Sequence, residues 1–332
     1  MPEFSRATAD GRNLPSAGRV VPTAPIDSIE ALWVQITGTL CNLRCTHCFI
    51  SCAPDNDALA FMSCDQIKTY LDEAEAIGVK EVYFTGGEPL LHPHVLAILQ
   101  DSLDLAPTTM LTNGVLITEH FAERLGEISI GSRYSLEIRV SLDAPDADAN
   151  DVIRGPGVFD RAVRGLIRLQ RAGLMPIVTA TELVVDNGHL NGGGPPQPVD
   201  LRRLPSGVEV GDVGPAPRAD SFYARFHRVL SELGVERPRV KILPVFNMGN
   251  LEDRRPAQVL TKGMVKGFDL STLQCSASRL VAADGVYACP ILAGEPAARM
   301  SLHSLTDSLY PVHLYHPSCT TCYQTGMTCR NF

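Results

Sequence analysis

Apolar and polar positions alternate between two periods along the middle of the chain. Residues 31–37 form a short apolar run that predicts a buried strand. Ser63 and Gln66 then have the spacing of a capping box. Ile67, Tyr70, Leu71 and Ala74 follow at helical spacing, and Gly78 closes the helix. The same alternation predicts strands over 81–85, 109–112, 135–143, 176–183 and 239–246. Helices are predicted over 94–103, 122–128 and 159–169, and again on the face formed by Phe222, Phe226, Val229, Leu230 and Leu233. Between them, residues 191–217 hold six glycines and six prolines, which predicts a long loop or lid.

Six strands alternating with helices imply parallel βαβ units. The expected fold class is α/β: a partial (β/α)6 TIM-like barrel, open on one side, over residues 30–265. Residues 266–332 form a small C-terminal extension and residues 1–29 a flexible leader rich in Pro, Gly, Ser and Arg. In such barrels the active site lies at the carboxyl ends of the strands. Gly86, Gly87 and Glu88, Asn113, and Asp143 all fall there.

Composition adds exclusions. Hydrophobic residues make up 45% and charged residues 20% of the 332-residue chain, as in globular proteins. A net charge of −8 argues against a nucleic-acid partner. There is no apolar run long enough for a membrane helix, and no signal-peptide core, so a cytoplasmic protein is expected.

Ten cysteines in such a chain call for a reason other than disulfides. Five lie between Cys41 and Cys64 and five between Cys275 and Cys329, with none between the two groups. Cys41, Cys45 and Cys48 have the spacing C-x3-C-x2-C. Three close thiolates leave a tetrahedral zinc, or one iron of a cubane, short of a ligand. Cys64 reads as a small buried hydrophobe, and Cys52 as either that or a member of the metal-binding group. In the second group, Cys275, Cys289, Cys319 and Cys322 suit a structural zinc or an iron–sulfur cluster. Asp284-Gly285 marks a hairpin turn before Cys289. His313 and His316 read as ordinary polar loop residues.

The cysteine loop with Phe49 beside its last cysteine, followed by Thr85-Gly86-Gly87-Glu88-Pro89 at the end of the next strand, resembles the radical SAM superfamily. The resemblance covers roughly residues 30–250. It implies that Cys41, Cys45 and Cys48 ligate a 4Fe–4S cluster whose fourth iron is chelated by S-adenosylmethionine. Glu88 with Gly86 and Gly87 would receive the methionine amino group, and Ser141 and Arg154 the ribose or carboxylate. Thr112 would join the same shell. Reductive cleavage would then give a 5′-deoxyadenosyl radical that abstracts hydrogen from substrate. A flavodoxin- or ferredoxin-type donor would supply the electrons.

The second cysteine group resembles the SPASM extension in its shortened twitch form, which implies one auxiliary 4Fe–4S cluster on Cys275, Cys289, Cys319 and Cys322. Cys329 is left over; it would replace one of the four, pack as a thiol, or donate hydrogen to a substrate radical. On the fourth strand Glu137 and Arg139 either contact a polar substrate or form an internal ion pair.

The expected function is a small-molecule dehydrogenase or epimerase acting on an aminocyclitol, a sugar-like compound or another secondary metabolite. About thirty residues ahead of the first strand are too few for a leader-peptide-binding domain, which favours a small molecule. The alternatives are a peptide maturase and a non-catalytic zinc or iron–sulfur scaffold.

Overall fold

The computed structural model describes residues 21–181, 183–186, 189–192, 221–246, 248–254 and 258–326. The chain begins with a two-residue strand, β1 (Thr23–Ala24), and the first strand of the main sheet, β2 (Ala31–Gln35). Next come α1 (Cys64–Ile77), β3 (Glu81–Thr85), α2 (Val95–Leu105), β4 (Thr108–Thr112) and α3 (Glu119–Gly131). They are followed by β5 (Leu136–Ser141), α4 (Ala147–Arg154), α5 (Val158–Arg171) and β6 (Ile177–Thr181). A small hairpin of β7 (Leu183–Asp186) and β8 (His189–Gly192) precedes α6 (Phe222–Glu232) and β9 (Arg239–Leu243). The C-terminal segment contributes β10 (Ser278–Ala282), β11 (Gly285–Tyr287), β12 (Arg299–Ser301), β13 (Val312–His313) and α7 (Pro317–Thr325).

Six strands, in the order β2-β3-β4-β5-β6-β9, run parallel as an open partial barrel. Alternation across the pleat divides their side chains between two faces. Leu32, Val34, Val82, Phe84, Ile138 and Val140 face the helices and form the main core. Trp33, Gln35, Thr85, Arg139, Ser141 and Lys241 face the other way, into a cavity. α1 follows the expected pattern: Ser63 and Gln66 complete the reciprocal capping box, Ile67, Tyr70, Leu71 and Ala74 are buried, and Gly78 ends the helix at φ 85°.

Several expectations need correction. Of the leader, residues 21–29 are described and are packed. Val21, Ala24 and Ile29 are buried, and β1 pairs with β13. Cys64 is exposed, because it opens α1 directly after the N-cap and points away from the apolar face. The extension is continuous with the barrel, since β10 pairs in parallel with β2 and carries β11 and β12 along as antiparallel neighbours. The expected strand 176–183 stops at Thr181, and β7 begins a separate hairpin. The Gly/Pro-rich stretch from 193 to 217 and Cys329 lie outside the described residues. Among the described residues, no helix is long and apolar enough to cross a membrane.

Candidate active site

The loop after β2 carries Cys41, Cys45 and Cys48 over the carboxyl ends of the strands. All three thiols line one cavity of about 230 Å³, together with Cys52, His47 and Phe49. The loop is fixed from several sides. The backbone N–H of Cys41 bonds Ala53 O at 3.1 Å, and that of Thr46 bonds Ile153 O at 2.9 Å. The segment after β9 clamps it from the opposite side: Asn250 Nδ2 donates to Cys45 O at 2.8 Å, and the Asn250 N–H to Cys48 O at 3.0 Å. Gly249 adopts φ 58°, and a Cβ there would lie 2.4 Å from Cys48 O. Sequence reasoning missed Gly249 and Asn250. Their Met-Gly-Asn context carries no motif, and only the folded chain brings them to the cysteines.

Burial raises the Cys41 thiol to about 12 and the Cys45 thiol to about 11. Cys48 moves the other way. Its hydrogen bond with the Cys52 thiol lowers it, reinforced by the Cys52 backbone N–H at 3.2 Å, and outweighs burial. Cys52 is thus a buried thiol held against the Cys48 sulfur.

Gly86 and Gly87 form the rim opposite. A Cβ on Gly87 would lie 2.0 Å from Leu40 O and 2.8 Å from Cys41 N, so only glycine lets these two segments meet. Glu88 follows at zero exposure and does not line the cavity. Its Oε1 accepts from Thr112 Oγ1 at 2.6 Å and from the Leu90 N–H at 3.1 Å, and its Oε2 from the Asn113 N–H at 2.8 Å. Burial raises the Glu88 carboxyl to about 7 despite these bonds. Asn113 passes the connection on, donating from Nδ2 to Asn42 Oδ1 at 2.7 Å. Glu88 therefore ties the end of β4 to the cysteine loop, while Thr112 and the two glycines front the cavity.

Asp143, just beyond β5, is fully buried. Its Oδ2 lies 2.9 Å from His47 Nε2 and forms an ion pair with Arg154 Nε at 2.7 Å, neither contact being aligned as a hydrogen bond. Its Oδ1 accepts from the Thr181 N–H at 2.9 Å. Burial opposes ionisation, but Arg154 and His47 outweigh it and hold the carboxyl well below the carboxylate range. The helix cap is the neighbouring Asp146, which accepts from the Ala149 N–H. Ser141 and Arg154 line the cavity as well. Arg139 does so too, while its Nε pairs with Glu137 Oε1 at 2.8 Å, and Glu137 Oε2 pairs with Arg239 at 3.2 Å. Glu137 is in the ion pair and away from the cavity lining; Arg139 belongs to both.

A second, smaller cavity is lined by Cys275, Cys289, Cys319 and Cys322. The last two lie three residues apart on α7, which puts them on one helix face. Burial raises Cys275 to about 12 and also raises Cys289 and Cys319. Fully buried Arg279 braces this site by donating to the carbonyls of Cys275, Ser308 and Tyr310 at 2.8–3.1 Å. His316 caps α7, its Nδ1 accepting from the Ser318 N–H at 3.1 Å. Ile291, two residues after Cys289, lines both cavities, so one side chain forms a shared wall. Among the described residues, no three Cys, His, Asp or Glu side chains form a ready single-ion site. The soft donors at both sites, and the glycine rim that leaves space beside the first, fit iron–sulfur ligation with a small cosubstrate alongside.

Comparison with known proteins agrees with this geometry. The model of the radical SAM superfamily matches residues 36–189. An AdoMet-dependent heme synthase of Methanosarcina barkeri is 33% identical over 137 residues, spanning 40% of this chain and 37% of that protein. Mycofactocin maturase MftC of Mycobacterium tuberculosis is 36% identical over 134 residues, 40% of this chain and 32% of that protein. The match thus spans about a third of the length of these relatives. Among solved structures, native anSMEcpe with bound AdoMet superposes with a TM-score of 0.54 at 14% identity, covering 84% of this chain and 79% of that one. Streptococcus suis SuiB bound to precursor peptide SuiA gives 0.58 at 15% identity, covering 85% and 65%. These two likenesses establish the fold, an α/β partial barrel. Members of the matched superfamily use S-adenosylmethionine with a 4Fe–4S cluster. Residues 36–189, a little under half of the chain, thus form a radical SAM domain.

Proposed function

We propose that the chain is a radical SAM enzyme acting on a small molecule, with an auxiliary iron–sulfur cluster beside the active cavity. Cys41, Cys45 and Cys48 would hold the first cluster and Cys275, Cys289, Cys319 and Cys322 the second. When bound, the first cluster with S-adenosylmethionine supplies reductive C–S cleavage and hydrogen-atom abstraction. The chain's own residues bind and orient. Gly86 and Gly87 keep the rim open to the cosubstrate. Glu88 fixes the end of β4 to the cysteine loop, and Arg154, held by Asp143, offers a cation to a carboxylate. Electrons would come from a flavodoxin- or ferredoxin-type donor.

The observation that carries this reading is the shared wall at Ile291: two cysteine-lined cavities abut at one side chain. An electron acceptor there suits a two-electron oxidation of substrate, which favours dehydrogenation over epimerisation. Peptide modification is the second reading, supported by the identity to mycofactocin maturase MftC.

Iron counting tests the metal assignment. Anaerobic reconstitution should give about eight irons per chain, falling to about four in Cys319→Ala/Cys322→Ala. About four irons with one zinc in the unaltered chain would contradict the auxiliary cluster.

A further inference from the structure

Arg279 on β10 is the largest fully buried side chain among the described residues, and it is a permanent cation. Its guanidinium has five N–H donors, and all of them are used. Nε donates to Ser308 O at 3.1 Å. Nη1 donates to Cys275 O at 2.8 Å and to Ser278 O at 2.7 Å. Nη2 donates to Ser308 O at 3.0 Å and to Tyr310 O at 3.1 Å. Every acceptor is a neutral backbone carbonyl. The donors are satisfied and the charge is not.

Among the described residues no carboxylate forms an ion pair with Arg279. Arg154, the buried arginine of the first site, has Asp143 at 2.7 Å. The acidic groups that act on Arg279 are Cys275 and Cys289, and then Tyr310. A buried charge without a counter-charge is strongly unfavourable, and bonds to neutral dipoles offset only part of that cost. The missing charge is at hand in the neighbouring thiols. Cys275 holds Arg279 through its carbonyl and, with Cys289, Cys319 and Cys322, lines the second cavity. Metal binding deprotonates such thiols. Four thiolates outweigh the positive charge of an iron–sulfur core, so a centre held there is an anion.

We propose that Arg279 is the counter-cation of the centre on Cys275, Cys289, Cys319 and Cys322, and that it raises the reduction potential of that centre. It is a positioning residue, touching a ligand's backbone and no substrate. One-electron reduction adds a negative charge to the centre, and a fixed cation beside it favours that form. The inference rests on the proposed auxiliary iron–sulfur cluster and deepens it. A raised potential makes the cluster a better sink for the electron that a two-electron oxidation of substrate must give up.

The full chain, reconstituted anaerobically, is titrated potentiometrically with EPR detection. The signal that changes when S-adenosylmethionine is added belongs to the first cluster, and the unchanged signal to the second. Arg279→Gln should lower the second midpoint by at least about 59 mV, a shift of about tenfold in a one-electron equilibrium, and leave the first midpoint in place. Arg279→Lys keeps the charge and loses the planar fork of donors, so it should restore most of the midpoint. If Arg279 only braced the carbonyls, the two variants would fall alike, and that result would overturn the inference. Should Arg279→Gln fail to hold the second cluster, iron content reads the same comparison. About eight irons per chain in Arg279→Lys against about four in Arg279→Gln would support the counter-charge, and equal loss would overturn it. An unmoved second midpoint in fully loaded Arg279→Gln overturns the inference and leaves the auxiliary cluster standing. About four irons with one zinc in the unaltered chain overturns the cluster and the inference together.

Discussion

Alanine at Gly87 will dislodge the cysteine loop. The added Cβ would meet Leu40 O at 2.0 Å, Leu40 C at 2.3 Å and Cys41 N at 2.8 Å. All three are backbone atoms, so no side chain can rotate away. The Glu88 N–H also bonds Leu40 O at 3.1 Å, which pins the two segments together at the same point. Relief requires the chain entering Cys41 to move by more than an ångström. Overpacking of this kind costs about 1–3 kcal/mol, and misplacing reacting groups by about 1 Å costs on the order of a hundredfold in rate. The expected result is a lower midpoint in denaturant for the metal-free protein and iron content at the first site reduced to a small fraction. Full iron loading at unchanged stability would mean that the rim does not set the position of the loop.

Asp143→Asn will cost more stability than any other single exchange at the site. Its carboxylate holds Arg154, which is 8% exposed, and His47, which lies between Cys45 and Cys48 in the loop. The asparagine keeps the shape but leaves a guanidinium buried without its counter-charge. Removing one partner of a buried pair costs about 3–5 kcal/mol. The sign of the pH dependence follows from the lowered carboxyl. A group whose folded value lies below its unfolded value contributes stability above the unfolded value and loses it as pH falls toward the folded one. The difference between wild type and variant, measured by denaturant unfolding, should be full near pH 7 and shrink below about pH 4. A difference that is small at pH 7, or that grows on acidification, would contradict the assignment.

Much of this architecture is legible before folding because local rules carry it. The capping box at Ser63, the stripe on α1 and the β-then-Gly-Gly-Glu sequence each lie within a few residues. What escaped depends on long-range pairing or on short polar elements. The parallel registry of β10 with β2 joins residues nearly 250 apart, such as Ala31 and Ser278, and no periodicity encodes it. α4, Ala-Asp-Ala-Asn-Asp-Val-Ile-Arg, buries only Asn150, Ile153 and Arg154, too little for an apolar stripe. At the site, Cys41, Cys45 and Cys48 stood out by spacing. The grip of Asn250 on Cys45, the contact of His47 with Asp143, and the turn of Glu88 toward Thr112 and Asn113 did not, since each joins residues from different strand ends. Glu137 and Arg139 were open between substrate contact and ion pair; Arg139 forms the pair and also lines the cavity.

The central claim is that the cavity under the cysteine loop binds S-adenosylmethionine beside a cluster and cleaves it. The most direct measurement is chromatographic detection of 5′-deoxyadenosine after anaerobic reconstitution and addition of reductant and S-adenosylmethionine. The account predicts reductant-dependent product that is lost in Cys45→Ala. Protein with its first cluster assembled and no 5′-deoxyadenosine formed would contradict it.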